Sequence, residues 1–152
     1  MDYLLPIYRE ANTYADLVRE GITGSPEDTN RHELGKRAWG IVEPIYTRAR
    51  VQAFNRYRKL AGTGMTSTDV IEIIRAALSG RVEHLFVAIG RNIWGRCSQD
   101  LSFLEKHEEK KAGDIDLLDT ATQVSFLHGG SIYATAAEEL PDGLLIAAVF
   151  RY

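Results

Sequence analysis

The stretch Ala76-Ala77-Leu78-Ser79-Gly80-Arg81-Val82-Glu83-His84-Leu85-Phe86-Val87-Ala88 decides the fold. Upstream of it, Val70, Ile71, Ile74, Ala77 and Leu78 recur at helical spacing and form the buried stripe of a helix over 67–78. Thr66 or Ser67 can cap that helix. Gly80 stands where a helix end calls for a left-handed residue. Val82 to Ile89 is then short, β-branched and apolar, the pattern of a buried strand. A helix that passes into a buried strand across one glycine is the opening of an α/β domain.

Downstream, Gly90-Arg91-Asn92 breaks the strand. Ile93–Cys97 and Leu101–Leu104 read as further strands joined by the polar turn Ser98-Gln99-Asp100, and 105–113 reads as a charged loop. A helix over 116–128 follows, capped by Asp114 or Asp116, with Leu117, Leu118, Ala121, Val124 and Leu127 toward the core. Gly129-Gly130 stops it. Ser131–Thr135 is a strand, 138–143 a turn, and Leu144–Phe150 a last buried strand. A strand, a helix and another strand in sequence predict a parallel crossover.

Upstream, Asn30 and Glu33 have capping-box spacing and open a long helix. Leu34, Ala38, Ile41, Val42, Ile45, Ala49, Ala53, Tyr57 and Leu60 line one face of it. Pro44 lies inside and predicts a kink or a break. Residues 11–30, with Gly21, Gly24, Ser25 and Pro26, read as a linker that includes a possible helical turn over 13–20. Tyr3-Leu4-Leu5-Pro6-Ile7-Tyr8 reads as strand-like. Two readings stand for it: the last strand of an upstream domain in a larger protein, or a natural N-terminal arm that pairs with the sheet. The expected organisation is therefore residues 1–30 as the tail of an upstream domain plus linker, and 31–152 as an α/β domain.

The whole sequence of 152 residues has a net charge of −3 with 45% apolar residues, so it lacks the overall basic balance of many nucleic-acid binders. Its single cysteine, Cys97, cannot form an internal disulfide, and a reducing, cytoplasmic setting is the simplest reading. No apolar run has the length of a membrane span. No cofactor motif is present.

Charge is unevenly placed. Between Glu43 and Asp69 there is no acidic residue, while Arg48, Arg50, Arg56, Arg58 and Lys59 fall in that interval. Arg48, Arg56, Arg58 and Lys59 project opposite the apolar stripe and are the candidate contacts for RNA phosphates or an acidic partner surface. A solvated helix face accounts for the same charges. His128-Gly129-Gly130-Ser131 has the glycine pair of a close-approach loop, but the position reads as a helix C-cap. His107-Glu108-Glu109 has no second histidine at metal-binding spacing and reads as a solvated loop. Asp114, Asp116 and Asp119 fit helix caps and dipole partners better than a metal site. Trp39 and Trp94 read as packing residues, as does Cys97.

Four stretches carry a family resemblance: Leu5 to Asn12, Ala76 to Ala88, Asp116-Leu117-Leu118-Asp119, and Ala147-Ala148-Val149-Phe150-Arg151-Tyr152. With them the sequence resembles the C-terminal part of the bacterial archaeo-eukaryotic release factor family, and its ending is similar to that family's C-terminus. The resemblance implies a three-layer α/β/α sandwich like that of the kink-turn RNA-binding ribosomal proteins, preceded by the long helix. It implies a partner at the ribosome, or a translation GTPase or recycling ATPase, with RNA as the alternative. It also implies a separate middle domain for the Gly-Gly-Gln chemistry on the peptidyl-tRNA ester. Here Ser131 follows the only adjacent glycine pair, so neither Gly129 nor Gly130 inherits a catalytic role and no catalytic residue is assigned.

Overall fold

The computed structural model describes residues 4–14, 17–18, 20–23, 30–140 and 143–152. They form two compact units, divided between Val51 and Gln52. The first unit contains helix α1 (Leu4–Ala11) and most of helix α2 (Arg31–Leu60). The second contains the last turns of α2 and all the remaining elements. These are β1 (Thr66–Ser67), α3 (Val70–Leu78), β2 (Val82–Ala88), β3 (Trp94–Cys97), β4 (Leu104–Lys106), β5 (Ile115–Asp116), α4 (Leu117–Leu127), β6 (Ser131–Thr135) and β7 (Ile146–Phe150).

The first unit departs from the sequence expectations in several places. Leu4 to Tyr8 is helical rather than a strand; Met1 to Tyr3 lie outside the described residues. Pro6 sits in the first turn, where its missing N–H would have no helical partner, and Arg9, Glu10 and Ala11 favour the helix. The helix gives way at Asn12, whose Oδ1 accepts from the Tyr14 N–H at 2.7 Å. The described residues of 13–20 are in no helix. Of the kink or break expected at Pro44, the break is absent: α2 is helical through that residue. The carbonyl that loses its donor there is that of Gly40, an exposed residue open to water. Asn30 caps α2 as expected, accepting from His32 N–H at 2.8 Å. Glu33 does not close a capping box but pairs with Arg37 at 3.2 Å.

In the second unit the strands form two sheets, β1-β7-β2-β6 and β4-β3-β5. A parallel crossover is present, but it does not start from the strand preceding the helix: β2 and β6 are parallel, with His84 beside Ser131 and Ala88 beside Thr135, while β3 and β4 lie in the other sheet. β7 runs antiparallel to both β1 and β2. Side chains of β7 alternate between two cores. Ile146, Ala148 and Phe150 join α3 and α4 on one face, while Ala147 and Val149 meet Ala53 and Tyr57 of α2 on the other. The larger sheet thus has helix on both sides, and the smaller sheet is a further feature. On β2, Val82 and Leu85 face the same core although they are three residues apart. The ladder to β7 shifts register between Val82 and His84, and that extra residue restores the alternation. Ile73, Ile74, Leu85, Phe86, Leu117 and Ala147 are fully enclosed. Each large apolar side chain buried in this way contributes roughly 1.5–3 kcal/mol.

The first turn of α3 also departs from expectation. Thr66 and Ser67 are strand, and Asp69 is the cap, accepting from Glu72 N–H at 2.8 Å. At the other end the Gly80 N–H reaches Ala77 O and the Arg81 N–H reaches Ala76 O, both at 2.9 Å, with Gly80 at φ 67°. The same pattern closes α4: Gly129 N–H to Phe126 O at 3.0 Å and Gly130 N–H to Ser125 O at 2.8 Å, with Gly129 at φ 77°. Both ends are Schellman caps. A Cβ on Gly130 would stand 3.0 Å from Ser125 O and 3.2 Å from Val82 O, so the second glycine is a close-approach residue.

The Arg151 guanidinium joins the two caps. Nη1 donates to Gly80 O at 2.6 Å and Nη2 to Gly129 O at 2.8 Å. One cation therefore serves the negative ends of two helices. Arg151→Met should lower the unfolding free energy by about 1–2 kcal/mol, a range set by charged hydrogen bonds and helix-end charges at an exposed site. Denaturant unfolding checks this, and the urea slope should not change. Gly95→Ala should cost about 1–3 kcal/mol in the same assay, because its Cβ would collide with Glu105 O and the Leu117 side chain.

Candidate functional site

Helix α2 carries eight of the eighteen Lys and Arg residues and only two of the 21 Asp and Glu residues. It is basic in a chain that is acidic overall. The four predicted contact residues lie on it but not in one cluster. Arg48 is exposed in the first unit. Arg56, Arg58 and Lys59 are in the second unit, where Ala53 and Tyr57 anchor the helix to the sheet.

Two residues of α2 differ by about 200° around the axis, so Arg56 and Arg58 leave opposite flanks of the helix. Arg56 is engaged: its Nη2 lies 2.8 Å from Glu83 Oε2. Glu83 is in the stretch where the β2 register shifts. The exposed pair contributes on the order of 0–1 kcal/mol and holds the arginine in place. Arg56 and Lys59 line one shallow groove with Gln52, Asn55 and Leu60. Arg58 opens onto another with Phe54, Glu138, Glu139 and Leu140, and its guanidinium lies 4.7 Å above the Phe54 ring. Phe54 is fixed in turn by an edge-on contact with Phe86, ring centres 5.5 Å apart. Lys59 is exposed.

His84 lies next to the Arg56–Glu83 pair, with Nε2 3.6 Å from Glu83 Oε1 and its ring 5.8 Å from that of Tyr133. Its Nδ1 is buried without a hydrogen-bond partner. Burial pushes the His84 pKa below the ordinary histidine value. Glu83 pulls it upward, and Arg56 and Arg151 add to the lowering. The neutral ring is therefore favoured, and a buried neutral imidazole can leave one nitrogen unpaired at lower cost than an imidazolium.

The charged segment after Leu104 is exposed as expected except at His107. β4 begins at Leu104 and runs into it, because the preceding turn is longer than three residues. Ser98 and Ser102 organise that turn and hold the Asp100 carboxyl down to about 2. His107 is buried, with Nδ1 2.8 Å from Asp114 Oδ2. The same carboxylate accepts from Lys111 N–H at 2.8 Å and from Arg96 Nε at 3.2 Å. Arg96 also donates to Ala112 O at 2.6 Å. These contacts fasten the loop to β3. The cap of α4 is Asp116, which accepts from Leu118 N–H at 2.9 Å. Asp119 is exposed in the first turn. Sequence spacing could not find the His107–Asp114 pair, since its partners meet only when β4 and β5 flank β3.

Trp39 is 56% exposed, against the expectation that it packs. Trp94 is half-buried under Lys110, whose Nζ is 4.1 Å from the ring centre. Cys97 packs against the α3–α4 core. Among the described residues no group of three His, Cys, Asp or Glu is placed to hold a metal, and no helix is long and apolar enough to cross a membrane.

Bacterial archaeo-eukaryotic release factor family 3 matches residues 1–81. Among solved structures, the C-terminal domain of the peptide chain release factor from Methanosarcina mazei superposes with a TM-score of 0.57 at 14% identity. That match covers 82% of this chain and 97% of the archaeal domain. At that identity the likeness is one of fold: a mixed α/β domain with a long N-terminal helix and two sheets. No curated protein matches the sequence.

Asp114 gives a pH prediction. Burial alone would raise its pKa, but hydrogen bonds from His107, the Lys111 N–H and Arg96, with the charge of His107, bring it below the ordinary value. A carboxyl lowered in the folded state contributes stability that is present above its unfolded pKa of about 4 and lost as pH falls through the folded value. Asp114→Asn should therefore be less stable than the parent at neutral pH. The gap should narrow steadily below about pH 4 in denaturant titrations, where unfolded carboxylates protonate.

Proposed function

We propose that this chain, which belongs to bacterial archaeo-eukaryotic release factor family 3, is a non-catalytic interaction domain that binds the ribosome or a translation factor. Charge segregation is the observation that carries the reading: α2 is basic and exposed over much of its length, on a domain with the fold of a release factor C-terminal domain. Ribosomal RNA and the acidic surfaces of translation proteins both complement such a helix. Residues 31–152 are read as the C-terminal release-factor-like domain, with residues 1–30 as the segment before it.

Helix on both sides of the larger sheet supports the finer comparison with the α/β/α sandwich of kink-turn-binding ribosomal proteins. The two glycines at the end of α4 have structural duties that account for their presence, so binding rather than ester hydrolysis is the activity assigned. The setting is cytoplasmic, where the translation machinery is found.

Arg48, Arg58 and Lys59 are the contact residues with most freedom to meet a partner. Arg56 contributes through the flank it shares with Lys59. Direct recognition of structured RNA by the same residues is the second reading, favoured by the absence of acidic residues between Glu43 and Asp69.

Co-sedimentation with purified ribosomes tests the proposal. The parent chain should bind with an affinity that falls as salt rises. Combined Arg58→Glu and Lys59→Glu changes should weaken binding at least tenfold, about 1.4 kcal/mol or more, and flatten the salt dependence. Arg48→Glu should add to the loss. Unchanged binding in the triple variant would remove α2 as the contact, and no binding by the parent to ribosomes or translation factors would refute the function.

A further inference from the structure

Strand β6 is an edge of the larger sheet among the described residues. The other edges are short or charged: β1 and β5 have two residues each, and β4 carries Glu105 and Lys106. β6 is Ser-Ile-Tyr-Ala-Thr, five residues without charge, proline or bulge. Edge strands are ordinarily protected by one of those devices, because their free N–H and C=O groups template the addition of another strand.

The phase of the edge can be read from one bond. Thr135 O accepts from Ile89 N–H at 2.8 Å, so Thr135 turns its main chain toward β2. Alternation makes Tyr133 and Ser131 do the same, and it turns the N–H and C=O of Ile132 and Ala134 outward. The Ala134 side chain is exposed and that of Ile132 half-buried, on the face of the sheet that carries α4. At the end of α4, just before β6, Phe126 and Leu127 are each 70% exposed. The edge therefore has free hydrogen-bonding groups and an apolar rim.

The charges at its two ends select the occupant. The Arg151 guanidinium, held on Gly129 O, stands at the start of β6. Glu138, which is exposed, stands just past its end. An identical strand laid antiparallel brings the basic start of each copy to the acidic end of the other. A parallel copy would oppose like charges instead.

We propose that β6 pairs with β6 of a second copy of this chain, antiparallel about a two-fold axis at Tyr133. In this register Ile132 faces the partner's Ala134, and the two residues exchange main-chain hydrogen bonds in both directions. Tyr133 faces its own counterpart, and the two larger sheets become continuous. The exposed Phe126 and Leu127 lie on the helix-bearing face of the shared sheet.

Sedimentation equilibrium of the full chain, from low micromolar to near-millimolar concentration, tests this. A monomer–dimer equilibrium is expected. Ala134→Pro removes an outward N–H that the β2 ladder does not use, and Ala134→Lys places a protecting charge on the edge while keeping that N–H. Each change acts twice in a two-fold contact, so each should weaken dimerisation at least about tenfold. Circular dichroism melts report whether the fold is retained, and Ala134→Lys carries the test should the proline variant unfold. A chain that stays monomeric throughout would overturn the proposal, even if β6 captured an extended peptide from another protein. A dimer unaffected in the folded variants would overturn it equally.

Discussion

A single guanidinium joins the ends of the two helices on one face of the larger sheet. Arg151 bonds the carbonyls of Gly80 and Gly129, which are the left-handed residues at the ends of α3 and α4. Those two helices cover one face of the larger sheet, and each passes through its glycine into a strand of that sheet. Helix ends leave carbonyls that need partners. Here two ends share one cation, which sets where α3 and α4 stop relative to each other and to β7. Arg81 reinforces the arrangement from the other side, donating to the Tyr152 main-chain oxygen at 2.7 Å and stacking over Phe150. The Ala76–Ala88 and Ala147–Tyr152 stretches, distant in sequence, are thereby one structural feature.

The other face of the sheet positions the candidate interface. Phe86, Tyr133 and Val149 offer an apolar surface to Ala53 and Tyr57, and this fixes the last turns of α2. Once those residues are inward, the charges between them are outward. The ion pair Arg56–Glu83 depends on the same register shift that returns Leu85 to the α3–α4 core. Packing and the presentation of charge are therefore coupled through β2.

Much of this was legible in the sequence where local rules and burial agree. The two helix-to-strand passages at Gly80 and Gly129, the existence of a parallel crossover and the Asn30 cap all follow from spacing and turn chemistry, but the choice of β2 as the crossover's first strand does not. The misreadings have identifiable causes. Leu4 to Tyr8 is apolar enough for a strand, but Pro6 is tolerated in a first helical turn and the following residues propagate the helix. β1 is two residues long and exists only because β7 passes beside it. His107 and Asp114 are joined by tertiary pairing that no spacing rule encodes. For the candidate site, the sequence identified the basic segment, but a helical wheel could not show that Arg56 is held by Glu83 while Arg58 rests on Phe54.

Under the proposed function, α2 presents this release-factor-like domain to the translation machinery. Hydrogen exchange of the chain, alone and with saturating ribosomes, tests it directly. Slowed exchange is expected, confined chiefly to residues 48–61 and the adjoining 136–140 segment. Exchange unchanged by ribosomes, or slowed only elsewhere in the chain, would contradict it.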